Sequence, residues 1–249
     1  MAETCVPSRS TSQGAPSSPA DRATPARTPR LASLRVLGSL HAANGGTSGR
    51  NSVKSLGNSE YDRAKLIELL RRDAVKLGAF TLASGRSSHY YVDGRRVTLS
   101  AEGAFQIAHA VLDLLTEFPR VTAIGGLTMG ADPIVGAALA VAPSRGRHDL
   151  RGFLVRKEAK THGTGQLVEG PLQPGSDVVI VDDVATTGGS SLQAARAVQA
   201  IGCRVALVVA VLDRLEGAED SFQQADLAFR SLVTIRDLGI EPLPPLSHP

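Results

Sequence analysis

The sequence predicts an α/β protein built on one open, mainly parallel, twisted sheet flanked by helices. Two observations predict it. The apolar runs at Val178-Val-Ile-Val181 and Val205 to Leu212 are continuous rather than alternating, which is the pattern of parallel strands covered on both faces. Strand-like and helix-like segments also alternate along most of the chain after residue 58, so that successive strands are joined through helices.

The elements follow in order. Ser59 and Asp62 have capping-box-like spacing ahead of Leu66, Ile67, Leu69, Leu70 and Leu77, which fall on a helical period that Gly78 stops. A turn-rich Ser84-Gly85-Arg86-Ser87-Ser88 leads into a strand at His89 to Asp93. A second helix is expected from about Ser100 to Leu115, then a buried strand from Val121 to Gly125. Asp132-Pro133 opens a small-residue helix to about Ala140, since proline suits the first helical turn. Strands at Gly152 to Val155 and Asp177 to Val181 follow, then a helix from Ser190 to Ile201 closed by Gly202, and a strand from Val205 to Leu212.

The composition is not uniform over the 249 residues. Residues 1–58 hold two acids, Glu3 and Asp21, against seven bases, so this segment carries +5 of a whole-chain net charge of +3 and the remainder carries −2. The basic balance is thus a property of the tail and gives no support to nucleic-acid binding by the folded part. Rich in Ser, Pro, Arg, Gly and Ala, the tail has too little apolar surface to offset the entropy of ordering it. It is read as a disordered extension, or the product of a misplaced start codon, in preference to an organelle transit peptide, whose composition it shares. No apolar run is long enough to span a bilayer. Cys5 in the tail and Cys203 in an apolar run make no disulfide framework, so a reducing, cytoplasmic setting is expected, with Cys203 a small buried strand residue.

The strongest chemical signal runs from Val178 to Ser191. A buried strand delivers two adjacent carboxylates, Asp182 and Asp183, at its C-terminal edge, and Val184-Ala-Thr-Thr-Gly-Gly-Ser190 leads into a helix. Ligands of open α/β sheets bind at such strand ends. Thr and Gly allow backbone N–H groups to converge, and a helix N-terminus adds partial positive charge, so a phosphate can be held without lysine. The bland reading is a helix N-cap with two solvated acids, against which stands the order strand, acid pair, loop. Walker-type and dinucleotide-binding glycine patterns are absent.

These residues resemble the phosphoribosyl pyrophosphate signature of type I phosphoribosyltransferases. The resemblance implies that Asp182 and Asp183 hold the ribose hydroxyls, while Val184, Ala185, Thr186, Thr187, Gly188, Gly189 and Ser190 bind around the 5′-phosphate. It assigns 59–249 as one catalytic domain with that family's fold and a small hood region, carried by Phe80 to Arg86 and Tyr90-Tyr91.

A second segment, Arg156-Lys157-Glu-Ala-Lys160-Thr-His162-Gly163, is similar to the catalytic loop of orotate phosphoribosyltransferases. Without the resemblance it would pass for a solvated basic loop. With it, Arg156, Lys157, Lys160 and His162 are expected at the pyrophosphate, Lys157 and Lys160 as the catalytic pair, with the loop reaching across a homodimer. Thr186 and Arg214 are expected at orotate, a surface ion pair being the alternative for Arg214. Mg²⁺ is expected on substrate phosphates and waters rather than in a protein cage. The likeness spans about Tyr61 to Leu238 and departs from the family pattern at Ala83 and at Met129-Gly130, where many members have lysine and Tyr-Lys. The expected reaction forms orotidine 5′-phosphate and pyrophosphate in pyrimidine (UMP) biosynthesis. The alternatives are transfer to another nucleobase, or a regulator that senses phosphoribosyl pyrophosphate without turnover.

Overall fold

The computed structural model describes residues 61–81, 85–158 and 167–244. The basic tail, Ala83, Lys160 and His162 lie outside the described residues. Helix α1 (Arg63–Leu69) runs into a π-helical turn, Leu70–Ala74. Strands β1 (Val75–Thr81) and β2 (Ser87–Val92) then form an antiparallel hairpin separate from the main sheet. The helices α2 (Arg95–Thr98) and α3 (Ala101–Leu114) follow, then β3 (Val121–Leu127), α4 (Asp132–Val141), β4 (Arg151–Val155) and a two-residue β5 (Val168–Glu169). The chain continues through β6 (Asp177–Ala185), α5 (Gly189–Ala200), β7 (Arg204–Asp213), α6 (Ala218–Gln224) and β8 (Phe229–Thr234).

The main sheet has the order β5-β4-β3-β6-β7-β8, parallel throughout except for β5, which pairs antiparallel with β4. Its strands alternate between two apolar layers. Val179 and Val181 of β6 pack with Leu66, Ile107 and Ile134 from α1, α3 and α4. Val178 and Ile180 face Ala194, Val198 and Phe222 from α5 and α6. All four β6 side chains are essentially fully buried. At roughly 1.5–3 kcal/mol for each such aliphatic side chain, burial on both faces makes β6 a firmly held strand.

The expected α/β architecture is present, and several boundaries move. Asp62 caps α1 by accepting from the Lys65 backbone N–H, but the helix does not reach Leu77. Leu77 instead lies in β1 opposite Tyr90 and is 74% exposed; its partner strand lies too far along the chain for local periodicity to reveal. Strand β6 runs four residues past Val181, because β7 continues beside it with Asp182 opposite Ala210 and Val184 opposite Leu212. Cys203 is buried, as expected, but sits one residue ahead of β7. The short elements α2 and β5, and α6 with β8 beyond Leu212, lie outside the elements that the sequence pattern predicts.

Candidate active site

The sheet has one topological switch point. From β3 the chain moves outward to β4 and β5, then crosses back to place β6 on the other side of β3. The β3–β6 ladder ends at Gly125 opposite Ile180, whereas the β6–β7 ladder continues to Ala185 opposite Asp213. Residues 182–185 therefore project past the end of their β3 pairing, while the β3 chain turns through Thr128-Met-Gly130 into α4. Such divergence opens a crevice at the strand ends. The cleft there has a volume of about 280 Å³. Asp182, Asp183, Val184 and Ser190 line one side; Leu127 to Gly130, Lys157 and the Tyr91 to Arg95 segment complete it.

The acid pair dominates its electrostatics. Asp182 is buried, accepts a hydrogen bond from Ser191 Oγ at 3.2 Å through Oδ2, and accepts from the Asp183 backbone N–H at 3.0 Å through Oδ1. Burial, with the neighbouring Asp183 carboxylate second, pushes Asp182 up to about 7. Burial also raises Asp183. Both changes follow from disfavouring charge in a poorly solvated place. The facing turn must come close. A Cβ at position 130 would stand 2.7 Å from Asp183 Oδ1 and closer still to Asp182 Oδ1, so only glycine leaves the carboxylates room.

After β6, Thr186, Thr187 and Gly188 make the turn into α5. Gly188 has φ +80, and a Cβ there would lie 2.8 Å from the Phe222 ring, so the turn needs glycine for both conformation and space. This aims the first N–H groups of a twelve-residue helix at the strand end, an anion-holding arrangement. Ser190 lines the cleft from the first turn of that helix.

The expected cations separate. Lys157 lines the cleft, and its backbone carbonyl accepts from Gln193 Nε2 at 2.9 Å, tying the start of the basic segment to α5. Arg156 instead pairs through Nε with Glu169 Oε1 at 3.0 Å and is not among the cleft-lining residues. Arg214 is also absent from the cleft lining. Its backbone N–H donates to Ala185 O at 3.0 Å, beside the phosphate turn, and its side chain is buried rather than on the surface. Sequence reasoning did not single out Asp93, Gly94, Arg95 or Thr128, all of which line the cleft. Arg95 Nε donates to Asp93 Oδ1 at 2.8 Å, which holds Asp93 below the usual carboxylate range. The signal available for them was a glycine between charged residues directly after a strand, Asp93-Gly94-Arg95.

Comparison with known proteins identifies the family. The family described as phosphoribosyl transferase domain matches residues 102–228. An orotate phosphoribosyltransferase of Rhodopirellula baltica is 47% identical over 190 residues, covering 74% of this chain and 98% of that protein. The crystal structure of Mycobacterium tuberculosis orotate phosphoribosyltransferase in complex with Fe(III) dicitrate has TM-score 0.63 and 40% identity, covering 72% of this chain and 99% of the other. The same enzyme in complex with 5-phospho-α-D-ribosyl 1-diphosphate has TM-score 0.60 and 36% identity, over 72% and 99%. This chain belongs to the phosphoribosyl transferase family, among its orotate phosphoribosyltransferases.

Proposed function

We propose that the protein transfers the 5-phosphoribosyl group of phosphoribosyl pyrophosphate to N1 of orotate, giving orotidine 5′-phosphate and pyrophosphate in UMP biosynthesis. The observation that carries this reading is the acid pair and glycine turn at the switch point of the sheet. Asp182 and Asp183 accept hydrogen bonds from the ribose hydroxyls. The turn from Ala185 to Ser190 and the N-terminus of α5 hold the 5′-phosphate. Pyrophosphate is left to the remaining wall of the cleft, where Lys157 and Arg95 supply positive charge and Thr128 to Gly130 supply backbone.

In the reaction the bond from C1′ to the pyrophosphate oxygen breaks and the bond from N1 to C1′ forms, through an oxocarbenium-like state. The protein positions the partners, stabilises the departing charge and excludes water. Lys157 and Lys160 supply that charge, with His162 beside them; Arg156 joins them only by leaving its ion pair with Glu169. No general base is assigned, since orotate N1 ionises partly on its own. Orotate is assigned to Thr186, in the turn after β6, and to Arg214, buried beside that turn, with the β1–β2 hairpin as the hood over it.

Among the described residues no group of three or more His, Cys, Asp or Glu side chains is arranged to hold a metal. The Asp182 and Asp183 carboxylates share the cleft with the Lys157 and Arg95 cations; Mg²⁺ would arrive there on substrate phosphates and waters and would neutralise pyrophosphate charge. We further propose a homodimer in which the basic loop serves the neighbouring site; exposed Leu99 and Met129 beside the cleft support an apolar contact there. No helix among the described residues is long and apolar enough to cross a membrane, and the proposed location is cytoplasmic.

A spectrophotometric assay with phosphoribosyl pyrophosphate and Mg²⁺ tests the function, with orotate, uracil, hypoxanthine and adenine offered separately. Turnover of orotate alone is expected. Turnover of another base in its place overturns the orotate reading, and tight binding without any turnover favours a sensor.

A further inference from the structure

The turn that follows β7 carries an unusual concentration of buried charge. Asp213, Arg214 and Glu216 are all at least 90% buried. Arg214 Nη2 lies 2.7 Å from Glu216 Oε1 as an ion pair, although out of hydrogen-bond alignment. Glu216 Oε1 also accepts from the Tyr90 hydroxyl at 3.2 Å. The Arg214 guanidinium carbon stands 5.0 Å from the centre of the Tyr90 ring, on which it is stacked as a cation–π pair. Arg214 Nε is buried and has no hydrogen-bond partner.

Three features of this cluster go beyond what folding needs. A buried ion pair is weak evidence for stability, since desolvation offsets most of its attraction. An orphaned buried donor is costly, and one kept in a native structure calls for an acceptor supplied from elsewhere. The backbone is also strained to build the cluster. Leu215, between the two charged residues, has φ +58, a left-handed conformation that disfavours leucine. The Asp213 carboxylate accepts from the Leu215 backbone N–H at 2.8 Å and holds that conformation, which folds Glu216 back onto Arg214. Tyr90 belongs to β2, whose next residue, Tyr91, lines the cleft.

We propose that Glu216 is a positioning residue for orotate recognition: with Tyr90 it fixes the Arg214 guanidinium in one orientation, leaving Nε free for the orotate carboxylate. This rests on the reading that Arg214 meets orotate. Glu216 touches no substrate itself. Its carboxylate offsets the buried guanidinium charge before the substrate arrives, and the Tyr90 ring closes the face on which the guanidinium could swing.

The test is steady-state kinetics on full-length Glu216→Ala, Glu216→Gln and Arg214→Ala, varying orotate and phosphoribosyl pyrophosphate separately. Glu216→Ala is expected to raise KM for orotate about tenfold or more, with KM for phosphoribosyl pyrophosphate within about twofold of wild type. Glu216→Gln keeps the shape and an acceptor oxygen, and should rescue most of that loss. An unchanged orotate KM in folded Glu216→Ala overturns the proposal, as do equal rises in both KM values, which would indicate a merely structural role. Where Glu216→Ala does not fold, Glu216→Gln decides: a selective rise of a few-fold in orotate KM supports the proposal and no rise overturns it. Arg214→Ala separates the two levels. If it leaves orotate KM unchanged, the orotate role of Arg214 falls; if it raises orotate KM while Glu216→Ala does not, only the positioning role falls.

Discussion

Raising the pH of the ligand-free protein should destabilise it through Asp182. In the folded protein this carboxyl keeps its proton up to about pH 7, against 3.8 for an ordinary aspartate, because it is buried beside Asp183. Between those two values the folded state binds a proton that the unfolded state has released, so stability falls as pH rises. The contribution is fully present below pH about 4 and lost above about 7. Three pH units at 1.36 kcal/mol each make the loss roughly 4 kcal/mol. Asp183 and Asp213, also raised by burial, act in the same direction. His109 opposes them: burial, then the nearby Arg145 charge, lowers it, so its part of the stability grows as pH rises towards 6.5. Aspartates held low by arginine hydrogen bonds, Asp73, Asp93, Asp149 and Asp177, matter only below pH about 4.

Asp182→Asn isolates this one carboxyl. Thermal unfolding of both proteins without ligand, from pH 5 to pH 8, is the assay. The variant should lose most of the wild-type decline and melt on the order of 10 °C above wild type at pH 8, at 2–4 °C for each kcal/mol in a domain of this size. Parallel Tm curves for the two proteins would refute the reasoning, because the pH dependence would then come from other groups.

Other outcomes follow from the same geometry. Binding of phosphoribosyl pyrophosphate below pH 7 should release protons, since ribose hydroxyls donating to Asp182 favour its ionised form; calorimetry in buffers of different ionisation enthalpy reads this, and proton uptake would contradict it. Gly130→Ala should weaken phosphoribosyl pyrophosphate binding at least about tenfold, because its Cβ would displace both carboxylates; unchanged KM would show that the turn can withdraw. Arg95→Gln should raise KM for pyrophosphate in the reverse reaction several-fold and leave KM for orotate unchanged. Lys160→Ala should lower kcat far more than it weakens substrate binding, and equal losses would remove it from the catalytic pair.

The parts of the molecule legible in the sequence are those whose physics is local. The Val178 to Val181 run and the acids after it stand in one covalent stretch, so strand, carboxylates and turn could be read together. Ser100 capping α3 and Pro133 opening α4 are equally local. What could not be read depends on distant partners. Leu77 fits a helical period, and only pairing with Tyr90 makes it a strand residue. Strand β6 extends through Asp182 and Asp183 because β7 runs beside it. Arg95 reaches the cleft through the separate hairpin and the short α2, and nothing in its neighbourhood marks it beyond Asp93-Gly94. Arg156 carries a charge that fits a phosphate site, yet Glu169, thirteen residues on, draws it into an ion pair. The burial of Arg214 likewise depends on Tyr90, far away in the chain.

The measurement that tests the central claim most directly is calorimetric titration of the protein with phosphoribosyl pyrophosphate and Mg²⁺, wild type against Asp183→Asn and the Asp182→Asn/Asp183→Asn double variant. Hydrogen bonds to charged groups are worth about 1.5–3 kcal/mol each, so the double variant should bind at least about tenfold more weakly while remaining folded. Wild-type affinity in that variant would contradict the account, because the ribosyl group would then be held somewhere other than the acid pair at the switch point.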